Sequence, residues 1–169
     1  MSSILGPAPI ADFDGTVALL PVDWAALRPR LGVARIVDLW SGDPARWDAV
    51  REAEVDAARI AEPVAEVCAE LVLTERFAIL TNNSEDAVAA FLAEQPALAE
   101  RVTTVVGRET LGGPKTDFAT FERGFERCRA ATAEWRGGGD TIYVGDAAYE
   151  LSFASELAAR VVDVADLRR

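Results

Sequence analysis

From residue 77 onward, short apolar runs alternate with amphipathic stretches, and no other feature restricts the fold of this chain as strongly. Residues 77–80, 102–106, 141–144 and 161–164 read as strands, and 84–93, 117–131 and 149–159 read as helices. Such alternation implies a parallel sheet, because parallel neighbours need long crossovers and the crossover helices cover both faces. An earlier apolar run, Pro9-Ile10-Ala11-Asp12-Phe13, breaks at Gly15 and suits one more buried strand ending in a tight turn. The five strands predict a Rossmann-like, doubly wound α/β core. Between the first two strands the chain reads as largely helical. Asp23 can cap a helix over 24–28, and Asp43-Pro44 opens another that runs through Trp47, Val50, Val55 and Ile60. Pro63 starts a third, ending near Leu73. This stretch is too long for one crossover. We expect residues 1–16 and 75–169 to form the core domain and 17–74 a small α-helical cap.

Half of the 169 residues are apolar, enough for a sizeable core in one domain. The balance of 17 Lys and Arg against 28 Asp and Glu, a net charge of −11, argues against nucleic acid or an anionic membrane surface as partner. The chain contains no histidine, which removes Ser-His-Asp triads, Cys-His dyads and His-ligated zinc. Cys68 and Cys128 lack a CxxC spacing and read as buried free thiols. No apolar run approaches the ~18 residues of a membrane span and no secretory signal is visible, so a cytoplasmic location is expected. Neither glycine cluster matches GxGxxG or GxxxxGK[ST], against a dinucleotide fold or a P-loop. Every basic residue is an arginine except Lys115.

In open parallel sheets the reactive groups gather at the carboxyl ends of the strands. Asp12 and Asp14 close the first predicted strand, Thr81-Asn82 the second and Gly145-Asp146 the fourth, while Lys115 follows the third. Several carboxylates in one cleft resist joint ionisation unless a cation joins them. Oxygen donors without His or Cys favour Mg²⁺. Taken singly, each residue also has an ordinary structural reading. Acids after a strand often serve as turn or N-cap residues, and Asn83-Ser84 is a good helix cap on any fold. The four tryptophans, Trp24, Trp40, Trp47 and Trp135, read as packing residues rather than a ligand cage.

Four spaced motifs, spanning nearly the whole chain, resemble those of the haloacid dehalogenase (HAD) superfamily, most of whose members are Mg²⁺-dependent phosphatases. They are Asp12-Phe13-Asp14-Gly15-Thr16, the hydroxyl motif Leu80-Thr81-Asn82-Asn83, Lys115, and Gly145-Asp146-Ala147-Ala148-Tyr149-Glu150. The resemblance implies strand order 3-2-1-4-5 and a helical cap after the first strand, as in the phosphoglycolate-phosphatase-like branch. It makes Asp12 the nucleophile that forms an aspartyl-phosphate and Asp14 the general acid and base. It assigns phosphoryl oxygens to Thr81, Asn82 and Lys115, and a Mg²⁺ site to Asp12, the backbone carbonyl of Asp14, Asp146 and Glu150.

The implied activity is hydrolysis of a small-molecule phosphate ester, by a monomer or homodimer. A phosphomutase and a catalytically silent binding protein of the same fold stay open as alternatives. Dehalogenases of this family lack the acid corresponding to Asp14. Phosphonate-cleaving relatives need a cap lysine, and 17–74 has none. A two-component receiver domain places its paired acids side by side, unlike Asp12-Phe13-Asp14. Three departures stand out: proline precedes Lys115 instead of following it, Glu150 replaces the usual Asp, and Ala147 stands where Ser is frequent. Among Arg28, Arg30, Arg35, Arg46, Arg51 and Arg59 in the cap segment, one or two are expected to face the cleft and take a second anionic group of the substrate.

Overall fold

The computed structural model describes residues 2–168. In chain order the elements are β1 (Ile10–Ala11), β2 (Ala18–Leu19), α1 (Trp24–Leu31), a 3-10 helix (Ile36–Ser41), α2 (Arg46–Ala58), β3 (Glu62–Pro63), α3 (Ala65–Leu71) and β4 (Phe77–Leu80). They continue with α4 (Glu85–Ala93), α5 (Pro96–Ala99), β5 (Val102–Val106), α6 (Arg108–Leu111), α7 (Phe118–Ala131), a 3-10 turn (Ala133–Trp135), β6 (Ile142–Gly145), α8 (Ala148–Glu156), β7 (Arg160–Asp163) and α9 (Val164–Leu167).

Five strands form one sheet in the order β5-β4-β1-β6-β7, and every pairing in it is parallel. Counted among these five alone, the order reads 3-2-1-4-5. The numbering shifts because β2 and β3 make a separate antiparallel pair that the sequence reading lacks. Pro63, expected to start a helix, lies opposite Ala18 in that pair, and the helix opens two residues later at Ala65. A proline fits an edge position because no ladder bond needs its missing N–H.

Side chains alternate across the sheet, as the period of two requires. Ala11, Phe77, Ile79, Ile142 and Val144 join one buried cluster with Val88, Phe91 and Leu92 of α4. Their strand neighbours Ile10, Ala78, Leu80 and Tyr143 join another with Phe121, Phe125 and Cys128 of α7. The two clusters are the two faces of a doubly wound sheet. A third cluster, Leu27, Leu31, Leu39 and Val50, lies in the helical segment between β1 and β4, with Trp24 and Trp47 packed against it. Val67 and Leu71 of α3 belong instead to the first sheet-face cluster, as does Ala58 at the end of α2. The segment is therefore tied to the core at its C-terminal part and has its own small interior at its N-terminal part.

Helix termini follow the local chemistry. The side chains of Asp23, Ser84 and Asp117 accept from backbone N–H groups at the starts of α1, α4 and α7. Among the described residues no helix is long and apolar enough to cross a membrane.

Candidate active site

The first strand brings Asp12 to the carboxyl edge, where its N–H donates to Val144 O at 2.9 Å. The chain then folds back on itself. The N–H groups of Val17 and Ala18 both donate to Phe13 O, at 2.8 and 3.0 Å, and Gly15 N–H donates to Ala18 O at 2.8 Å. Gly15 sits at φ +85°, and a methyl group on it would overlap the Asp146 carboxylate. Only glycine lets the first loop and the loop after β6 approach this closely. Asp14 is half-buried, and its Oδ1 accepts from Leu20 N–H at 3.0 Å. Burial, with the charges of Asp146 and Glu54 adding to it, raises the Asp14 carboxyl above the ordinary aspartate range against the opposing Leu20 bond.

Lys115 reaches the same point from the loop after α6. Its side chain is 1% exposed, its Nζ donates to Asp12 Oδ1 and to Leu80 O at 3.0 Å, and it pairs with Glu150 Oε1 at 2.7 Å. Its backbone N–H donates to Asn82 Oδ1 at 2.7 Å, which fastens the loop to the end of β4. Burial opposes the ammonium charge, but Asp12 and Glu150 outweigh it and hold the Lys115 pKa above the usual lysine value. Burial also raises Asp12, with Lys115 pulling it back down and Glu150 pushing it up.

Glu150, one helical turn beyond Asp146, accepts from Tyr143 OH at 2.8 Å and Tyr149 OH at 2.9 Å as well as pairing with Lys115. Its longer arm is thus absorbed by two tyrosines. Gly145 makes room for this, since a Cβ there would lie 2.9 Å from the Tyr143 ring and 3.1 Å from Glu150 Oε2. Asp146 is exposed, and partial burial of its carboxylate together with Glu150 raises its pKa against Thr16 and Lys115. Asp12, Asp146 and Glu150 each offer one carboxylate oxygen, all within 4.8 Å of one another. This oxygen-only set has the chemistry of a hard divalent cation site. The Asp14 carboxylate is outside this group.

Thr81 and Asn82 occupy the turn after β4. The Thr81 hydroxyl donates to Asn83 Oδ1 at 2.8 Å and accepts from Asn83 N–H at 3.1 Å, so it also closes a local turn. The sequence reading missed what lies behind that turn. Glu54 of α2 is 2% exposed and receives two bonds from Arg108, at 2.9 and 2.7 Å, one from Asn83 Nδ2 at 3.1 Å and one from Ser84 N–H at 3.0 Å. Arg108 also donates to Asn82 O at 3.2 Å and lies over the Trp47 ring at 4.5 Å. A signal existed for Glu54, which occupies the buried face of α2 with Val50, Ala57 and Ala58. Arg108 directly follows a strand end and Gly107, the position that drew attention to the other site residues.

These groups line one cleft of about 610 Å³, with Asp12, Asp14, Thr81, Asn82, Lys115, Asp146 and Glu150 on the sheet side. Trp24, Arg28, Arg35, Trp40 and Trp47 line it from the helical segment. Three tryptophans read as packing residues therefore also wall the cleft, while Trp135 stacks under Arg76 elsewhere. Two of the six arginines of the segment face the cleft.

No family model matches the chain, and no curated protein matches it. Solved structures do. The UTR4 protein of Saccharomyces cerevisiae shares 14% identity with it over 93% of this chain and 88% of that one, at a TM-score of 0.59. A HAD-superfamily hydrolase of Ehrlichia chaffeensis gives 13% identity over 96% and 88%, at 0.56. L-2-haloacid dehalogenase of Xanthobacter autotrophicus, with chloropropionic acid covalently bound, gives 15% over 93% and 76%, at 0.57. At these identities the likeness is one of fold, and the fold is that of HAD-superfamily hydrolases.

Proposed function

We propose that the chain is a Mg²⁺-dependent phosphatase that hydrolyses a small-molecule phosphomonoester through an aspartyl-phosphate on Asp12. The observation that carries this reading is the meeting of Asp12, Lys115 and Glu150 at the floor of the cleft, with Asp146 completing an oxygen cluster and Asp14 beside it. Lys115 grips Asp12 Oδ1, and Asp12 Oδ2 accepts a long bond from the Thr16 hydroxyl at 3.4 Å. Oδ2 is the oxygen we assign to attack.

Attack of Asp12 on phosphorus forms the acyl-phosphate bond and breaks the ester P–O bond. The protonated Asp14 carboxyl gives its proton to the leaving alkoxide, a task that its raised pKa suits. Asp14, now ionised, takes a proton from water as the water attacks the phosphoryl group, releasing inorganic phosphate and restoring both carboxyl groups. Lys115 offsets negative charge at the phosphoryl oxygens, and the Thr81 hydroxyl and Asn82 N–H orient them. Asp12, Asp146 and the Asp14 carbonyl are the groups we assign to the cation. Glu150 joins them directly or through water, and its bonds to Lys115 and the two tyrosines also position the lysine. Bound there, Mg²⁺ would neutralise phosphoryl charge as a Lewis acid.

The likeness to a 2-haloacid dehalogenase favours a second reading, in which Asp12 displaces a halide from carbon. Asp14 and the cation-type oxygen cluster speak against it, since halide departure requires neither an acid nor a metal. Phosphate release from 4-nitrophenyl phosphate, with Mg²⁺ and with a chelator, is the test, alongside chloride release from 2-chloropropionate. Mg²⁺-dependent phosphate release supports the proposal. Chloride release without phosphate release refutes it. Transfer to a second hydroxyl without free phosphate marks a mutase, and binding without turnover marks a silent relative.

A further inference from the structure

The cleft's four cationic side chains are not equivalent. Lys115 is committed to Asp12 and Glu150, Arg108 to Glu54, and Arg35 to Asp38. Arg28 lines the cleft half-buried, spends only its Nε, on Trp24 O at 3.1 Å, and has no carboxylate partner among the described residues. It follows Trp24 by one turn of α1, so both present to the same side. Around it the wall is aromatic. The Trp40 and Trp47 rings lie 4.9 Å apart at 54°, and Arg108 lies over the Trp47 ring at 4.5 Å. A wall of π faces with one uncommitted guanidinium, opposite a phosphate-reactive carboxylate, selects by ring stacking and a second negative charge.

We propose that the substrate's leaving group is a planar aromatic alcohol that carries an anionic substituent, with the ring against Trp40 and Trp47 and the anion on Arg28. This rests on the phosphatase reading and names its substrate class. A cleft of about 610 Å³ is large enough to hold such a group.

The test compares three esters with alkoxide leaving groups of similar basicity: cyclohexylmethyl, benzyl and 4-carboxybenzyl phosphate. With Mg²⁺, kcat/KM is expected to rise roughly tenfold at each step along that series. Arg28→Gln is expected to lower kcat/KM for the carboxylated ester about tenfold more than for benzyl phosphate, and Trp40→Leu to erase most of the benzyl preference. Equal turnover of all three esters by the wild-type protein, or a carboxylate preference that survives in Arg28→Gln, overturns the inference. If no ester is turned over, quenching of tryptophan fluorescence by the corresponding inert phosphonates decides. Tighter binding of 4-carboxybenzylphosphonate than of cyclohexylmethylphosphonate upholds the ligand class while the hydrolase reading fails. Equal binding overturns the ligand class as well.

Discussion

Replacing Glu54 by Gln should cost more stability than any surface change of similar size, because the carboxylate is, among the described residues, the sole ionic partner of the buried Arg108. Four bonds converge on its two oxygens, from Arg108 twice, Asn83 and Ser84. A glutamine offers one acceptor oxygen and turns an NH₂ group toward donors, so about half of these bonds are lost and a cation is left in a site 5% exposed. Breaking one side of such a pair typically costs ~3–5 kcal/mol. The retained Trp47 face and Asn82 carbonyl place this case at the lower end, about 3 kcal/mol. For a chain of this size that corresponds to a fall in Tm of roughly 6–12 °C. Urea unfolding, followed by tryptophan fluorescence and circular dichroism, measures it. The double variant Glu54→Gln with Arg108→Met should recover part of the loss, since it removes the unpaired cation while the glutamine keeps an acceptor for Asn83 and Ser84. A loss below about 1 kcal/mol in the single variant, or a double variant as unstable as the single losses summed, would refute the reasoning.

Two further outcomes follow from the structure. Gly15→Ala should weaken the cation site by pushing Asp146 away, seen as a smaller rise in Tm on adding Mg²⁺ than the wild-type protein shows, whereas an unchanged rise would mean the contact is irrelevant. Burial pushes the Cys68 thiol up to about 11 and the Cys128 thiol up to about 12, so neither should react quickly with a thiolate-selective reagent at pH 8, and both should do so in denaturant. The sign for stability runs the same way. Unfolded thiols ionise near pH 9 and folded ones later, so this contribution is intact below pH 9 and is lost as pH rises above it.

Much of the fold was legible because its strands are short, mostly apolar and separated by periodic helices. Phe77–Leu80 and Val102–Val106 appear where the sequence places them. The pair β2–β3 was not legible, since two-residue strands carry no periodicity and Pro63 looks like a helix start. In the site, acids and hydroxyls at strand ends stood out by position. Glu54 did not, because an acid within a helix is read as solvated unless its face is worked out, and Arg108 was hidden among sixteen arginines. Trp24 and Trp47 pack as the sequence suggests, and their place on the cleft wall as well was not legible, because aromatic spacing on a helix reports an apolar neighbour without saying whether it is core or cleft.

The central claim, a phosphoryl group carried on Asp12, is tested most directly in the Asp14→Asn variant. A 4-nitrophenyl leaving group departs without a proton, so the variant can form the aspartyl-phosphate but lacks the base that hydrolyses it. Acid quenching after mixing with Mg²⁺ and phosphorus-labelled 4-nitrophenyl phosphate should trap close to one hydroxylamine-labile phosphoryl group per chain, mapping to Asp12 and absent when Asp12→Asn is added. Unlabelled protein in the Asp14→Asn variant, alongside phosphate release by the wild-type protein under the same conditions, would contradict the account.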